Sequence, residues 1–153
     1  MKPFWRVVLL TSLFVGTTDI IAAYINQIVK TGKFPDKMLH YIAGGALGLE
    51  ESMKGGFGTQ LLGLSFHYFI AFSFTLLFFL AYPRLKFLSF NSYIVGFLYG
   101  VFCSCFMSFI VLPMTKLPQS PFVLQNAIVS WLILGVALGI PIAISATKYY
   151  NRQ

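Results

Sequence analysis

The residues best suited to chemistry in this sequence are one carboxylic acid and one imidazole, each inside an otherwise apolar run. Asp19 lies in the run 4–25, whose only other charged residue is Arg6. A carboxylate within a membrane span costs about 2.5–3.5 kcal/mol on insertion scales, so it is a candidate functional residue by default. His67 lies in a second run, 60–82. Histidine titrates near neutral pH and a neighbouring carboxylate tunes it, so this pair suits proton transfer or the binding of a polar ligand.

The two residues are predicted to lie at the same depth. Asp19 comes six residues before the end of its run and His67 seven residues after the start of its own. At ~1.5 Å per residue they lie about 9 Å and about 10 Å from the same end of the bundle. Other groups predicted in that half are Gln125, Asn126, Met107 and Ser108. We therefore predict a ligand or proton site lined by Asp19, His67, Gln125 and Asn126.

Two interpretations of the Asp19–His67 pair stay open at this stage. In the first, the pair moves a proton or binds a polar ligand. In the second, the two side chains only satisfy each other and hold one helix against the next.

No motif for catalysis or metal binding accompanies the pair. The sequence has no Ser–His–Asp spacing, no glycine-rich phosphate loop and no HExxH. Cys103 and Cys105 are two positions apart, so on a helix they point to different sides. The other histidine, His40, is predicted at the surface of a loop, which disfavours a haem held between two histidines. We predict a protein that is not an enzyme and has no metal or cofactor.

The composition is that of an integral membrane protein. Of the 153 residues, 58% are hydrophobic and only 10% are charged, and the mean hydropathy is +0.79. A soluble domain of this length cannot bury so much apolar side chain, and a disordered chain would contain far less of it. Two cysteines are too few for a disulfide scaffold. The net charge of +7 comes from residues in the gaps between apolar runs, which excludes a nucleic-acid-binding face.

Four apolar runs predict four membrane-spanning helices, because about 20 residues suffice to cross the hydrocarbon. The predicted spans are 4–25, 60–82, 93–112 and 122–147. The segment 36–53 is partly apolar but too short to cross, which is typical of an interfacial or re-entrant helix. The sequence thus predicts an all-α integral membrane four-helix bundle, one transmembrane domain over 1–153, with a short helix in its first loop.

An even number of spans puts both termini on one side of the membrane. The short segments on that side contain basic residues and no acid: Lys2, Arg6, Arg84, Lys86, Lys148 and Arg152. The five lysines of the other side are diluted by three acidic residues. By the positive-inside rule, both termini are predicted in the cytoplasm.

Small residues at four-residue spacing allow helices to pack closely in lipid. Gly96 and Gly100 form one such pair. Gly135 and Gly139 form another, just before Pro141, which is predicted to kink or end its helix. We also expect one face of each of the first two spans to turn inward, with the phenylalanine- and leucine-rich faces in lipid. The inward faces are Ser12, Gly16, Asp19, Ala23 and Asn26 in the first span, and Gln60, Gly63, His67 and Ala71 in the second.

Two stretches carry a resemblance to a known family. One runs from the glycine-rich segment 42–48 through Gly55-Gly56 to 62–71, which contains His67, and the other covers 96–113. Together they resemble small bacterial four-helix inner-membrane proteins akin to those with the YagU-like domain of unknown function. The resemblance implies a bacterial cytoplasmic membrane and implies no particular activity.

The leading functional prediction is a small polytopic membrane protein with a polar pocket in its non-cytoplasmic half, used for proton relay, transport or polar-ligand binding. The alternative is a non-catalytic accessory or structural subunit of a larger membrane complex, with the small-residue faces as docking surfaces. The expected partners are the lipid bilayer and either a membrane protein or a second copy of the chain, without nucleic acid.

Overall fold

The computed structural model describes residues 3–119 and 121–151, and this part of the chain is almost entirely helical, without a β-strand. Four helices are long and apolar enough to cross a membrane, which confirms the predicted all-α four-helix bundle. They are α1 (Phe4–Thr31), α4 (Phe57–Ala81), α5 (Ser92–Met114) and α6 (Leu124–Tyr150). Two short helices, α2 (Met38–Leu47) and α3 (Leu49–Lys54), lie between α1 and α4. We call the end formed by 32–56, 115–119 and 121–123 the loop end, and the end with 3–6, 82–91 and 148–151 the terminal end.

Helix α1 continues six residues beyond its predicted end at Ile25. Polar residues do not stop a helix, and α1 ends only where Gly32 takes a left-handed conformation with φ of 67° and its N–H bonds the carbonyl of Ile28 at 2.7 Å. Asp19 therefore lies about 18 Å from the end of α1, and His67 about 15 Å from the start of α4, at ~1.5 Å per residue. Both residues are deeper in the bundle than predicted.

The first loop forms two short helices where one was predicted for 36–53, and they are separated at Gly48, whose φ is 97°. Helix α2 packs directly on α4, so closely that a methyl group added to Gly63 would overlap the carbonyl of Leu39. The prediction that His40 is at the surface is wrong, because its side chain is only 3% exposed. Its Nε2–H donates to the carbonyl of Gly55 at 3.0 Å. A histidine of α2 is buried because α2 lies against α4 rather than free in solvent.

Helices α5 and α6 meet through the two predicted glycine pairs. A methyl group added to Gly100 would lie 2.5 Å from the Cα of Gly135, and one added to Gly96 would lie 2.6 Å from the Cα of Ile140. One added to Gly139 would overlap the carbonyl of Gly96. The four glycines are therefore covered within the chain itself, where only hydrogen atoms fit between two backbones.

Both α5 and α6 contain a π-helical turn that comes just before a proline. The turns are Met107–Val111, followed by Pro113, and Gly135–Gly139, followed by Pro141. Of the two predicted effects, a kink or an end, Pro141 does not end its helix, which continues to Tyr150. Proline has no N–H for the carbonyl four residues earlier, here that of Ala137. The hydroxyl of Thr18 in α1 donates to this carbonyl at 2.7 Å, so a neighbouring helix supplies the missing hydrogen bond.

The contact between α5 and α6 gives a testable prediction. We expect Gly100→Ala to lower the free energy of unfolding in mixed micelles by about 1–3 kcal/mol, because the added methyl group forces two backbones apart. Gly58→Ala is the matched control, since nothing lies within 4 Å of that position. Chemical unfolding followed by circular dichroism measures both, and equal effects of the two substitutions would contradict the α5–α6 contact.

Candidate functional site

Asp19 and His67 line one cavity of about 270 Å³ between the four long helices. This is the juxtaposition predicted from their matching depths. Three serines share the lining: Ser104, Ser108 and Ser130. The remaining walls are apolar: Ile42, Ile70, Ala71, Phe74, Met107, Leu134 and Leu138. The cavity therefore combines a few convergent polar groups with hydrophobic walls, the composition that ligand sites usually have.

The imidazole of His67 holds α4 against α1. Its Nε2–H donates to the carbonyl of Gly16 at 2.7 Å, and the next residue, Tyr68, bonds the hydroxyl of Thr17 through its own hydroxyl at 2.8 Å. The ring of Tyr68 lies so close to Gly16 that an added methyl group would be 2.8 Å from it. Glycine at this position thus permits the approach that the hydrogen bond requires. No described residue bonds the second ring nitrogen of His67, Nδ1.

Asp19 has no direct partner. Within 3–119 and 121–151, its carboxylate forms neither an ion pair nor a hydrogen bond, and the one ion pair found there joins exposed Lys54 and Glu50. Among the described contacts, none joins Asp19 to His67, whose Nε2–H bonds the carbonyl of Gly16 instead. The interpretation in which the two side chains only satisfy each other is therefore wrong in its geometry. The bond that holds the helices together runs from His67 to the backbone of Gly16.

The cavity serines differ from most other serines and threonines of the long helices. Seven of those twelve residues donate back to a carbonyl of their own helix: Ser12, Thr17, Thr18, Thr31, Ser65, Ser73 and Thr75. Among the described hydrogen bonds, none involves the hydroxyl of Ser104, Ser108 or Ser130. Ser104 is only 5% exposed, so its side chain is largely shielded from bulk solvent. These three hydroxyls are available to a ligand.

A second cavity, of about 390 Å³, continues from the first toward the loop end. Ser108 and Ser130 line both cavities, so the two adjoin at these residues. The second cavity is lined near its mouth by Tyr41 and Asn126. Asn126 accepts a hydrogen bond from Lys30 Nζ at 3.0 Å, which links the ends of α1 and α6. The arrangement forms a route from the loop end to Asp19.

Tightly packed aromatic side chains close the opposite direction. Phe78 is 1% exposed and lies edge-on to the ring of Tyr99, at 4.7 Å between centroids. The hydroxyl of Tyr99 donates to the carbonyl of Phe74 at 2.7 Å, just beneath the cavity. Nearer the terminal end, the rings of Tyr82 and Tyr150 stack at 5.1 Å. In the described part of the chain, packed aromatic side chains therefore fill the space between the cavity and the terminal end.

The structure does not bring Gln125 and Asn126 to the Asp19 cavity, contrary to the prediction. Asn126 lines the second cavity, and Gln125 is exposed and lines neither. The cause is a difference in depth, because α1 and α4 extend past their predicted ends. The α6 residues that line the Asp19 cavity therefore lie one to three helical turns beyond Asn126. Met107 and Ser108 do line the cavity, as expected.

Sequence reasoning missed Ser104 and Ser130. Ser104 was detectable, because it follows Gly100 by four residues and so continues the small-residue face of α5. Ser130 has no comparable signal, since its level relative to Asp19 depends on where α6 begins.

In comparisons with known proteins, no family model, curated protein or solved structure matches this chain. The resemblance to the YagU-like proteins therefore stays a prediction. The cavity itself carries the functional argument.

The separate roles of the two central residues give a second prediction. We expect His67→Ala to lower the free energy of unfolding by about 1–3 kcal/mol, because it removes the hydrogen bond to Gly16. Asp19→Asn should leave it unchanged or raise it, because that substitution removes a charge without breaking a bond. Unfolding in mixed micelles measures both, with Asp36→Asn as the control for loss of an exposed carboxylate. A loss for Asp19→Asn equal to that for His67→Ala would mean that the two residues bond each other.

Proposed function

We propose that this chain is a small, non-enzymatic membrane protein whose Asp19 cavity binds a small polar ligand that enters from the loop end. The observation that carries the proposal is the Asp19 carboxylate, which has no partner among the described residues and lines a cavity of about 270 Å³. An unpaired carboxylate at this depth is costly, and a bound ligand or ion would offset that cost.

Proton relay across the whole membrane has less support than ligand binding. A relay needs a connected line of titratable or hydroxyl groups from one side to the other. Beyond the cavity, the described route toward the terminal end consists of packed aromatic rings such as those of Phe78 and Phe79. Hydroxyl groups there are already bonded to backbone carbonyls, that of Tyr99 to Phe74 and that of Thr75 to Ala71.

The alternative function, an accessory subunit, has less support, because the glycine faces predicted to dock a partner are covered within the chain. Gly96, Gly100, Gly135 and Gly139 contact each other's helices within this chain, so they are not open to a second protein.

We propose a bacterial cytoplasmic membrane as the location, with both termini in the cytoplasm and the cavity open to the other side. The described part of the terminal end carries Arg6, Arg84, Lys86 and Lys148 without an acidic residue, which supports this orientation. Lys2 and Arg152, which the prediction also used, lie outside the described residues.

Ligand binding is tested with three probes of similar size: benzylamine, benzyl alcohol and benzoate. We expect at least one of them to raise the thermal unfolding temperature of the detergent-solubilised protein, because filling the site stabilises the folded state. Ser130→Leu should abolish the rise, since its larger side chain occupies the cavity. Ser73→Leu is the matched control, because Ser73 is exposed on the lipid-facing side of α4. The absence of any rise in the wild-type protein, or an equal rise in Ser130→Leu, would overturn the proposal.

Orientation is tested by labelling with a membrane-impermeant maleimide. We expect Lys116→Cys, at the loop end, to react in intact cells, and Lys86→Cys, at the terminal end, to react only after permeabilisation. The wild-type chain gives the background, because its two cysteines lie within α5. The reverse pattern would place both termini outside.

A further inference from the structure

We infer that the ligand of the Asp19 cavity is a small organic cation, an ammonium group that carries an apolar substituent. The inference rests on the proposed function and names its substrate class. It starts from the polar groups that line the cavity and are not already bonded.

The free polar groups are mainly acceptors. An ionised Asp19 accepts hydrogen bonds and donates none. The Nε2–H of His67 is used by Gly16, so Nδ1 is the ring nitrogen left for a ligand, and it accepts a hydrogen bond whenever the ring is neutral. The hydroxyls of Ser104, Ser108 and Ser130 can also accept, and no lysine or arginine among the described residues lines the cavity. A ligand that satisfies these groups must donate several hydrogen bonds and carry positive charge, as an ammonium does.

Charge balance supports the same class. A carboxylate in a low-dielectric interior needs a nearby cation, and no described residue forms an ion pair with Asp19. A neutral ligand would leave the charge uncompensated, and an anion would add a second one. A bound ammonium group supplies the missing counter-charge.

The apolar walls favour an organic cation over a bare metal ion. Calcium takes six to eight oxygen ligands. The cavity offers one carboxylate and three hydroxyls, surrounded by side chains such as Ile70, Leu134 and Leu138. The ring of Phe74 is also part of the wall, and aromatic faces attract desolvated organic cations. The apolar substituent of the ligand would cover these walls.

The volume limits the size of the ligand. Since one water molecule takes about 30 Å³ of liquid, a cavity of about 270 Å³ holds roughly nine non-hydrogen atoms. Benzylamine, with an ammonium group on a single aromatic ring, is of this size. Lys30 lies on the route, near the mouth of the second cavity, but it is exposed and bonded to Asn126, so solvent screens its charge.

The test compares the three probes on the wild-type protein and on Asp19→Asn, with affinity taken from the rise in unfolding temperature against probe concentration. We expect benzylamine to bind the wild-type protein most tightly and to lose about tenfold or more in affinity in Asp19→Asn, because a charge-assisted hydrogen bond is lost. Benzyl alcohol should respond equally weakly in both proteins, and benzoate should give no rise. Asp36→Asn, which removes an exposed acid at the loop end, should bind benzylamine like the wild type. That comparison also corrects for amine dissolved in the micelle.

The outcomes separate this inference from the proposed function. If benzyl alcohol or benzoate binds more tightly than benzylamine, and Ser130→Leu abolishes that binding, the cavity binds a polar ligand but the cation is the wrong class. If benzylamine binds equally well to Asp19→Asn, the inference is also wrong. If none of the three probes raises the unfolding temperature, both the inference and the proposed function fail.

Discussion

The hydrogen bond from His67 to the carbonyl of Gly16 is the contact on which the site depends. It fixes α4 to α1 at the level of Asp19, three residues further along α1. It also uses the ring N–H that would otherwise bond the carboxylate. Asp19 is therefore held beside a histidine without being neutralised by it. Gly16 makes the contact possible, because any larger residue would collide with the ring of Tyr68. Gly16 thus permits the close packing of α1 and α4, and with it the hydrogen bond that keeps the His67 N–H away from the Asp19 carboxylate.

The walls of the cavity depend on irregular backbone in α5 and α6. Both π-helical turns border the cavity, since Met107 and Ser108 belong to the first and Leu138 to the second. Such turns are frequent at functional sites. Each precedes a proline, whose missing N–H leaves a carbonyl free one turn earlier. In α6 that carbonyl is bonded by Thr18, the residue next to Asp19. Two adjacent residues of α1 therefore have separate roles: Asp19 lines the cavity, and Thr18 stabilises α6.

Hydropathy and residue spacing predicted the four long helices, helical structure in the first loop (as one short helix rather than two) and the placement of Asp19 and His67 in one cavity. The length and composition of an apolar run determine whether it can span a membrane. In two neighbouring antiparallel helices, the distance of a residue from the helix end gives its depth, so residues at equal depth can be identified. The ends of the helices were less predictable, because Asn26, Gln27 and Lys30 are polar yet helical, and only Gly32 stops α1. That error moved the site away from Gln125 and Asn126. The burial of His40 was also missed, since it results from the packing of α2 on α4 rather than from local sequence.

The hydrogen bond between Thr18 and Ala137 also constrains the order in which the contacts of α1 can form during synthesis. Its two residues are 119 positions apart in the chain. At a synthesis rate of 5–20 residues per second, the ribosome adds Ala137 roughly 6–24 seconds after Thr18. During this interval Thr18 lacks its partner in α6, whereas Gly16 and Thr17 can already bond α4 once that helix has been made. The packing of α1 therefore depends on α6, and a chain truncated before Ala137 would leave α1 without one of its fixed contacts.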